Sequence, residues 1–365
     1  MTNSKLKKQT HYNVIGVMSG TSLDGVDLCL SSFQFETKWK FQISAAKTIK
    51  YSEEWQQRLR AAIHLNSKEI KELNEDYTRL LADLIQPFME AHSHNTTIDA
   101  ICSHGHTIFH QPDQGKTFQI GNLPTLSTYL KQTIVCDFRT QDVALGGQGA
   151  PLVPIGDALL FSDYDYCLNL GGFANISFDQ NNKRIAFDIC PVNIVLNHYV
   201  SSMGMAYDSE GQIAAKGTVC KPLLKELNAL KFYTLEPPKS LGLEWVQSEI
   251  LPLIETYELE VSTVLRTMIE HCALQLSKVL KKNHLIKGLI TGGGVFNTFL
   301  IQRISDLYGY DLPKADPKII EFKEALIFGF IGILKLRNEP NCFQSVTGAK
   351  YDHSSGVIYF PEKKQ

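Results

Sequence analysis

The chain has 365 residues, 44% of them hydrophobic and 20% charged, and a formal net charge of −2 at pH 7. That length predicts two domains at roughly 150 residues each, with enough apolar material for sizeable cores. No basic patch dominates, which excludes a nucleic-acid or anionic-membrane partner from the reading. The N-terminus, Met1–His11, is Lys-rich, but Ser19–Asp24 interrupts any apolar signal core after it. The strands Asn13–Met18 and Val26–Phe35 are expected around a turn of small and acidic residues, Ser19-Gly20-Thr21-Ser22-Leu23-Asp24-Gly25. Helices are expected at Glu53–His64 and Lys68–His92, the second with Ile70, Leu73, Tyr77, Leu80, Leu81, Leu84, Ile85 and Phe88 at helical spacing. The strand Ile98–Ser103 then runs into Ser103-His104-Gly105-His106-Thr107, read as a loop.

The same order returns. Strands at Tyr164–Leu170 and Ala174–Phe178 flank Gly171-Gly172-Phe173, and an amphipathic helix follows at Glu260–Lys281. The strand Leu285–Ile290 feeds Thr291-Gly292-Gly293-Gly294, and a helix runs from about Asn297 to Leu307. The chain thus reads as two copies of one α/β plan with a nucleotide cleft between two lobes. The lobes are placed at residues 1–138 and 139–365, with the option that the last residues pack back on the first. Ala325–Leu334 is apolar but short of the ~20 residues that span a bilayer, so it reads as a core helix. The eight cysteines, Cys29, Cys102, Cys136, Cys167, Cys190, Cys220, Cys272 and Cys342, contain no C-x-x-C pair. That speaks against zinc and for buried thiols in a reducing, cytoplasmic compartment.

Several segments carry chemistry. The first turn offers backbone N–H groups, hydroxyls and the carboxylates Asp24 and Asp27, which suits a polyphosphate with magnesium; an ordinary glycine-rich hairpin is the alternative. Asp137–Pro151 is long, polar and dense in glycine. Its Arg139 is either a partner for a substrate carboxylate or one half of an ion pair with Asp137 or Asp142. Asp188, after the strand-like Arg184–Phe187, is either a general base at a strand end or the cap of a helix at about Asn193–Met203. Thr291–Asn297 passes from strand to helix, a setting that favours anions or a nucleotide edge. No P-loop or Rossmann pattern occurs. His104, His106 and His110 read better as hydrogen-bonding groups than as metal ligands.

Together these segments resemble the anhydro-N-acetylmuramic acid kinases, a branch of the sugar kinase–Hsp70–actin superfamily. Met18–Asp27, Ser103–Thr107, Asp137–Pro151, Asn169–Asn175, Asp188–Asn193, Pro238–Glu244, Thr291–Asn297 and Glu324–Phe328 fall in the family's order. The resemblance implies two RNase-H-like lobes that bind ATP and Mg2+. It also implies a reaction of cell-wall recycling: the 1,6-anhydro ring of an amino sugar is opened by water and O6 is phosphorylated. By resemblance, Asp188 is the catalytic base. Ser19, Gly20, Thr21, Ser22, Leu23, Asp24, Gly25, Gly171, Gly172, Asn175, Gly292, Gly293, Gly294 and Asn297 hold the nucleotide, with Asp24 on the metal side. His104, Arg139 and Glu324 hold the sugar, and a homodimer is expected. The chain departs from the family's Asp-Thr-Gly-Pro-Gly-Asn at Asp188-Ile189-Cys190-Pro191-Val192-Asn193. It also has Leu241 and Leu243 in a segment that usually reads Ser-Thr-Gly-Arg-Glu, and His106 where Gln is usual. These departures leave two other readings: a kinase of a different amino sugar, or a nucleotide-gated binding protein.

Overall fold

The computed structural model describes residues 9–20, 22–92 and 96–362. Its strands are β1 (His11–Ser19), β2 (Gly25–Phe35), β3 (Trp39–Lys50), β4 (Ala100–Gln111), β5 (Lys116–Ile120), β6 (Ile134–Cys136), β7 (Tyr166–Leu170), β8 (Phe173–Gln180), β9 (Lys183–Pro191), β10 (Gly288–Thr291) and β11 (Val357–Tyr359). The chain divides into two compact units. One takes the residues through Leu160 and those from Phe322 onward; the other is Phe161–Glu321.

In the first unit the sheet order is β11-β6-β4-β1-β2-β3, with β5 paired to β4. Strands β1, β2 and β3 form an antiparallel meander, while β4 runs parallel to β1 and β6 parallel to β4. Central β1 is covered on both faces, so it reads as a nearly unbroken apolar run: Val14, Ile15 and Val17 are buried. On one face lies the helix Ser67–His92, whose Leu73, Tyr77, Leu81 and Ile85 share a core with Ile15, Val17 and Leu28. On the other lies the part of helix Pro317–Leu336 that belongs to this unit, so Ala325–Leu334 is a core helix. It approaches β1 closely because two glycines meet there. A Cβ on Gly16 would lie 1.8 Å from the Ala325 carbonyl oxygen, and Gly329 sits opposite.

In the second unit the order is β10-β7-β8-β9, with β7, β8 and β9 antiparallel and β10 parallel to β7. A parallel bridge from Ile290 to Lys314 stands where a further strand would. The helix Val261–Lys282 covers this sheet with Leu265, Met268, Cys272 and Leu276 in the same core as Leu168 and Ile176. Both sheets therefore repeat the RNase-H-like pattern, a three-stranded meander continued by a parallel strand.

Two expectations are corrected. Ser103–Thr107 is not a loop: it lies within β4, where Gly105, at φ +75°, carries an irregularity in the pairing with β1. The division expected at 138/139 falls inside the first unit. The segment after it stays there through specific bonds. Thr347 Oγ1 donates to Asp142 at 2.7 Å, the Gln148 N–H donates to the Thr347 carbonyl, and Lys323 pairs with Asp157 at 2.7 Å. β11 likewise joins β6, so the C-terminal strand returns to the first sheet.

Candidate functional site

In the first unit, the end of β1 delivers Ser19 into a buried network. Its Oγ lies 2.6 Å from the Tyr51 hydroxyl and 2.8 Å from His106 Nδ1, and Tyr51 in turn meets the Tyr77 hydroxyl. Burial pushes His106 down to about 4 and raises both tyrosines, so the whole network is uncharged at neutral pH. Ser19 is thus turned inward, and among the described residues of the turn Ser22 and Asp24 are exposed. Ser22 Oγ donates to Asp24 Oδ1 at 2.7 Å. Leu23 takes φ +60°, and Gly20 has room around it. Gly25 has a packing duty instead, since a Cβ there would lie 2.4 Å from the Ile49 carbonyl oxygen. Asp27 accepts from Thr48 Oγ1 at 2.6 Å, within β2. Thr21 lies outside the described residues.

A second group forms where β4 meets the loop after β6. Arg139 Nε donates to His104 Nε2 at 2.8 Å, and its Nη1 donates to the Gly149 carbonyl at 2.6 Å. His104 Nδ1 must then carry the hydrogen, which it donates to the Gly105 carbonyl at 2.9 Å. Burial and the neighbouring guanidinium hold His104 well below the usual imidazole range, so it is a neutral prop for Arg139. Burial also lowers Arg139, to about 10, while Glu324 is the foremost charge acting the other way. Glu324 keeps contact with solvent although protein atoms crowd it, and that crowding raises its carboxyl. The ion pair weighed for Arg139 does not form among the described residues. Asp137 accepts from Thr140, and Asp142 accepts from the Gly149 N–H and from Thr347. Of the three sugar-binding candidates, His104 and Arg139 are in contact, and Glu324 acts on Arg139 electrostatically.

In the second unit, β9 carries Asp188. Its Oδ2 accepts the Leu241 N–H at 2.8 Å, and its own N–H donates to the Lys239 carbonyl. Oδ1 has no hydrogen bond among the described residues. Burial raises the carboxyl, and the Leu241 bond opposes that shift. Asp188 does not cap a helix: the one that follows, Asn193–Ser201, has Val192 at its N-cap and no side-chain cap. The Gly171 and Gly172 carbonyls accept N–H groups from Val192, Asn193 and Ile194, which ties the glycine turn to that helix. Gly292, at φ +84°, lies against β7, where a Cβ would be 2.5 Å from Asn169 Oδ1; Gly294 is pressed on Leu170 and Gly293 is open. The two glycine turns of this unit are therefore neighbours. Asn175 stands opposite Asp188 in the β8–β9 register. Asn297 has a structural duty, since its Oδ1 caps the helix Thr298–Tyr308 through the Leu300 N–H.

The residues that single-residue reading missed are those that hold these groups. Tyr51 and Tyr77 carry no local motif. Lys239 and Leu241 touch Asp188 from more than 50 residues away, and only their place in the Pro238–Glu244 segment marks them.

Two RNase-H-like units, each with glycine turns at strand ends, define an α/β protein of the sugar kinase–actin class. A family model described as anhydro-N-acetylmuramic acid kinase matches residues 12–361, and the chain belongs to that family. It is 33% identical over 368 residues to the anhydro-N-acetylmuramic acid kinase of Pseudomonas syringae pv. syringae (strain B728a), covering 94% of this chain and 98% of that protein. It is 30% identical over 366 residues to the protein of the same name from Sulfurimonas denitrificans, again covering 94% and 98%. Among solved structures, component A of the Acidaminococcus fermentans (R)-2-hydroxyglutaryl-CoA dehydratase aligns with 89% of this chain and 99% of its own, at a TM-score of 0.43 and 11% identity.

Proposed function

We propose that this chain is an ATP-dependent kinase that opens the 1,6-anhydro ring of 1,6-anhydro-N-acetylmuramic acid and phosphorylates O6, giving N-acetylmuramic acid 6-phosphate and ADP. The observation that carries the reading is Asp188. One of its carboxylate oxygens is fixed by the Leu241 N–H, the other is open, and burial raises its basicity. Such a carboxylate takes a proton from the attacking water, whose oxygen bonds to the anomeric carbon as the bond from that carbon to O6 breaks. O6 then takes the γ-phosphoryl group, the bond from phosphorus to the β,γ-bridging oxygen breaks, and ADP leaves.

Arg139, oriented by neutral His104, would meet the carboxylate of the sugar's lactyl group. The Ser19–Gly25 turn would hold ATP phosphates, with Gly20 allowing close approach. Mg2+ is a hard cation usually held by one or two carboxylates plus phosphate oxygens, which Asp24 and Asp27 fit. When bound, it neutralises phosphate charge. Asp24, exposed at the turn, is the proposed metal-side carboxylate. A cytoplasmic homodimer completes the proposal. Among the described residues, no helix is long and apolar enough to cross a membrane.

The test is phosphorylation across a panel of anhydro and reducing amino sugars, with oxygen-18 water to locate the new bond. Label on the anomeric carbon of a 6-phosphate product supports the reading. Phosphorylation of reducing sugars alone overturns it in favour of a different amino sugar, which the departures at Ile189–Val192 and Leu241–Leu243 make the natural second reading.

A further inference from the structure

A third cluster in the first unit has no part in the proposed reaction. Asp142, Cys342 and His353 are all buried, and one donor atom from each lies within 4.8 Å of the others. Cys342 and His353 face one another across an antiparallel bridge, closed by reciprocal backbone hydrogen bonds. Asp142 reaches the same point from the short helix Thr140–Ala144, which follows Arg139. His353 Nδ1 lies 3.1 Å from the Tyr351 carbonyl and must donate to it. The Nε2 lone pair is therefore exposed to the cluster. It lies 3.5 Å from Asp142 Oδ1 and has no hydrogen-bond partner, although His353 is only 5% exposed. An unpartnered buried nitrogen aimed at a carboxylate and a thiol needs an explanation.

We propose that Asp142, Cys342 and His353 form a binding site for a divalent transition ion of the Zn2+ class. Nitrogen, sulfur and carboxylate oxygen are the donor set that Zn2+ accepts, with three protein ligands leaving a fourth position for water. On binding, the Cys342 S–H bond breaks, sulfur bonds to the metal, and the proton passes to solvent. Burial raises the Cys342 thiol, so it stays protonated until a metal displaces the proton. Cys342 and Asp142 both act electrostatically on Arg139, on which Glu324 is the chief anion. Asp142 and the Cys342 thiolate together balance the dication. The bound ion would tie the loop of Arg139 to the C-terminal segment, which makes it a structural clip.

The full-length chain, grown with zinc, is expected to carry about one Zn2+ per chain. Stripped of metal and loaded with Co2+, it should show a thiolate-to-cobalt charge-transfer band. Cys342→Ser and His353→Gln, each checked for native circular dichroism, should bind Zn2+ at least roughly tenfold more weakly. X-ray absorption at the zinc edge of the unaltered chain needs no variant: one sulfur at about 2.3 Å is expected beside nitrogen and oxygen at about 2.0–2.1 Å. A His–Asp ion pair without metal is the competing account. Zinc far below one equivalent with no cobalt–thiolate band, or a zinc shell of nitrogen and oxygen only, overturns the proposal.

Discussion

Single residues decide the chemistry. Asp188→Asn should keep the fold, because an amide oxygen can still accept the Leu241 N–H, yet lose the base. A general base contributes roughly 10²–10⁴-fold, so turnover should fall by that factor while ATP affinity holds; near-normal turnover would remove Asp188 from its role. Since the carboxyl is raised, the acid limb of kcat/KM should lie above the ordinary aspartate value of about 3.9. Below that limb the base is protonated and activity is lost. Arg139→Ala should raise KM for an acidic sugar more than for ATP, by an amount worth roughly 1.5–3 kcal/mol. A loss confined to ATP would move Arg139 to the nucleotide. Asp24→Asn should raise the Mg2+ requirement more than Asp27→Asn, because Asp27 is already held by Thr48; equal shifts in a magnesium titration would refute the distinction. At this scale, types and positions were legible and partners were not. Arg139 stood out as a lone cation in a glycine-rich loop, but its support from His104, 35 residues away, depends on β4 lying beside that loop.

Among the elements, close approaches at glycine leave no room for a side chain, so substitution there introduces strain. Gly16→Ala should destabilise the first unit, because its Cβ would meet a helix backbone carbonyl at 1.8 Å and backbone cannot swing aside as a side chain can. Overpacking of this kind costs roughly 1–3 kcal/mol or more. Gly20→Ala, whose Cβ would find its nearest neighbour at 3.5 Å, should cost far less. Thermal midpoints of the two variants compare them directly, and equal midpoints would deny the helix contact with β1. The strands were readable as apolar, β-prone runs, and the long helices because their apolar residues recur at a period of 3.6. Boundaries moved where tertiary bonds took over. β4 runs on through His104 and His106, although Gly105 suggested a break, because β1 and β5 supply partners for its backbone.

The whole molecule carries buried neutral histidines in both units. His104 and His106 are buried in the first, and His271 in the second between Asn228 and Tyr233, lowered to about 3 by burial. Their folded values lie below the unfolded value of about 6.5. Below that pH the unfolded chain binds protons that the folded chain refuses. Their contribution is therefore present above about pH 6.5 and is lost as pH falls toward the folded values. Each histidine contributes at most about 1.4 kcal/mol per pH unit in that window. Urea midpoints should fall between pH 6.5 and 4.5, and His271→Gln should flatten that slope for the second unit. Midpoints that do not move with pH would refute this.

The sequence by itself determined the repeated α/β plan, the family, and the residue types able to do the chemistry, because periodicity, turn composition and motif order are local properties. Tertiary structure decided where the units divide, since Asp142, Thr347, Asp157 and Lys323 bind across long stretches of chain. It also decided which duties glycine and asparagine perform: Gly25 and Gly292 pack against backbone and side chain, and Asn297 caps a helix. And it placed Asp142 beside Cys342 and His353, some 200 residues further on. No spacing rule could find that group, because metal-type geometry depends on which segments the sheet brings together, and that is set by burial of the core rather than by any local pattern.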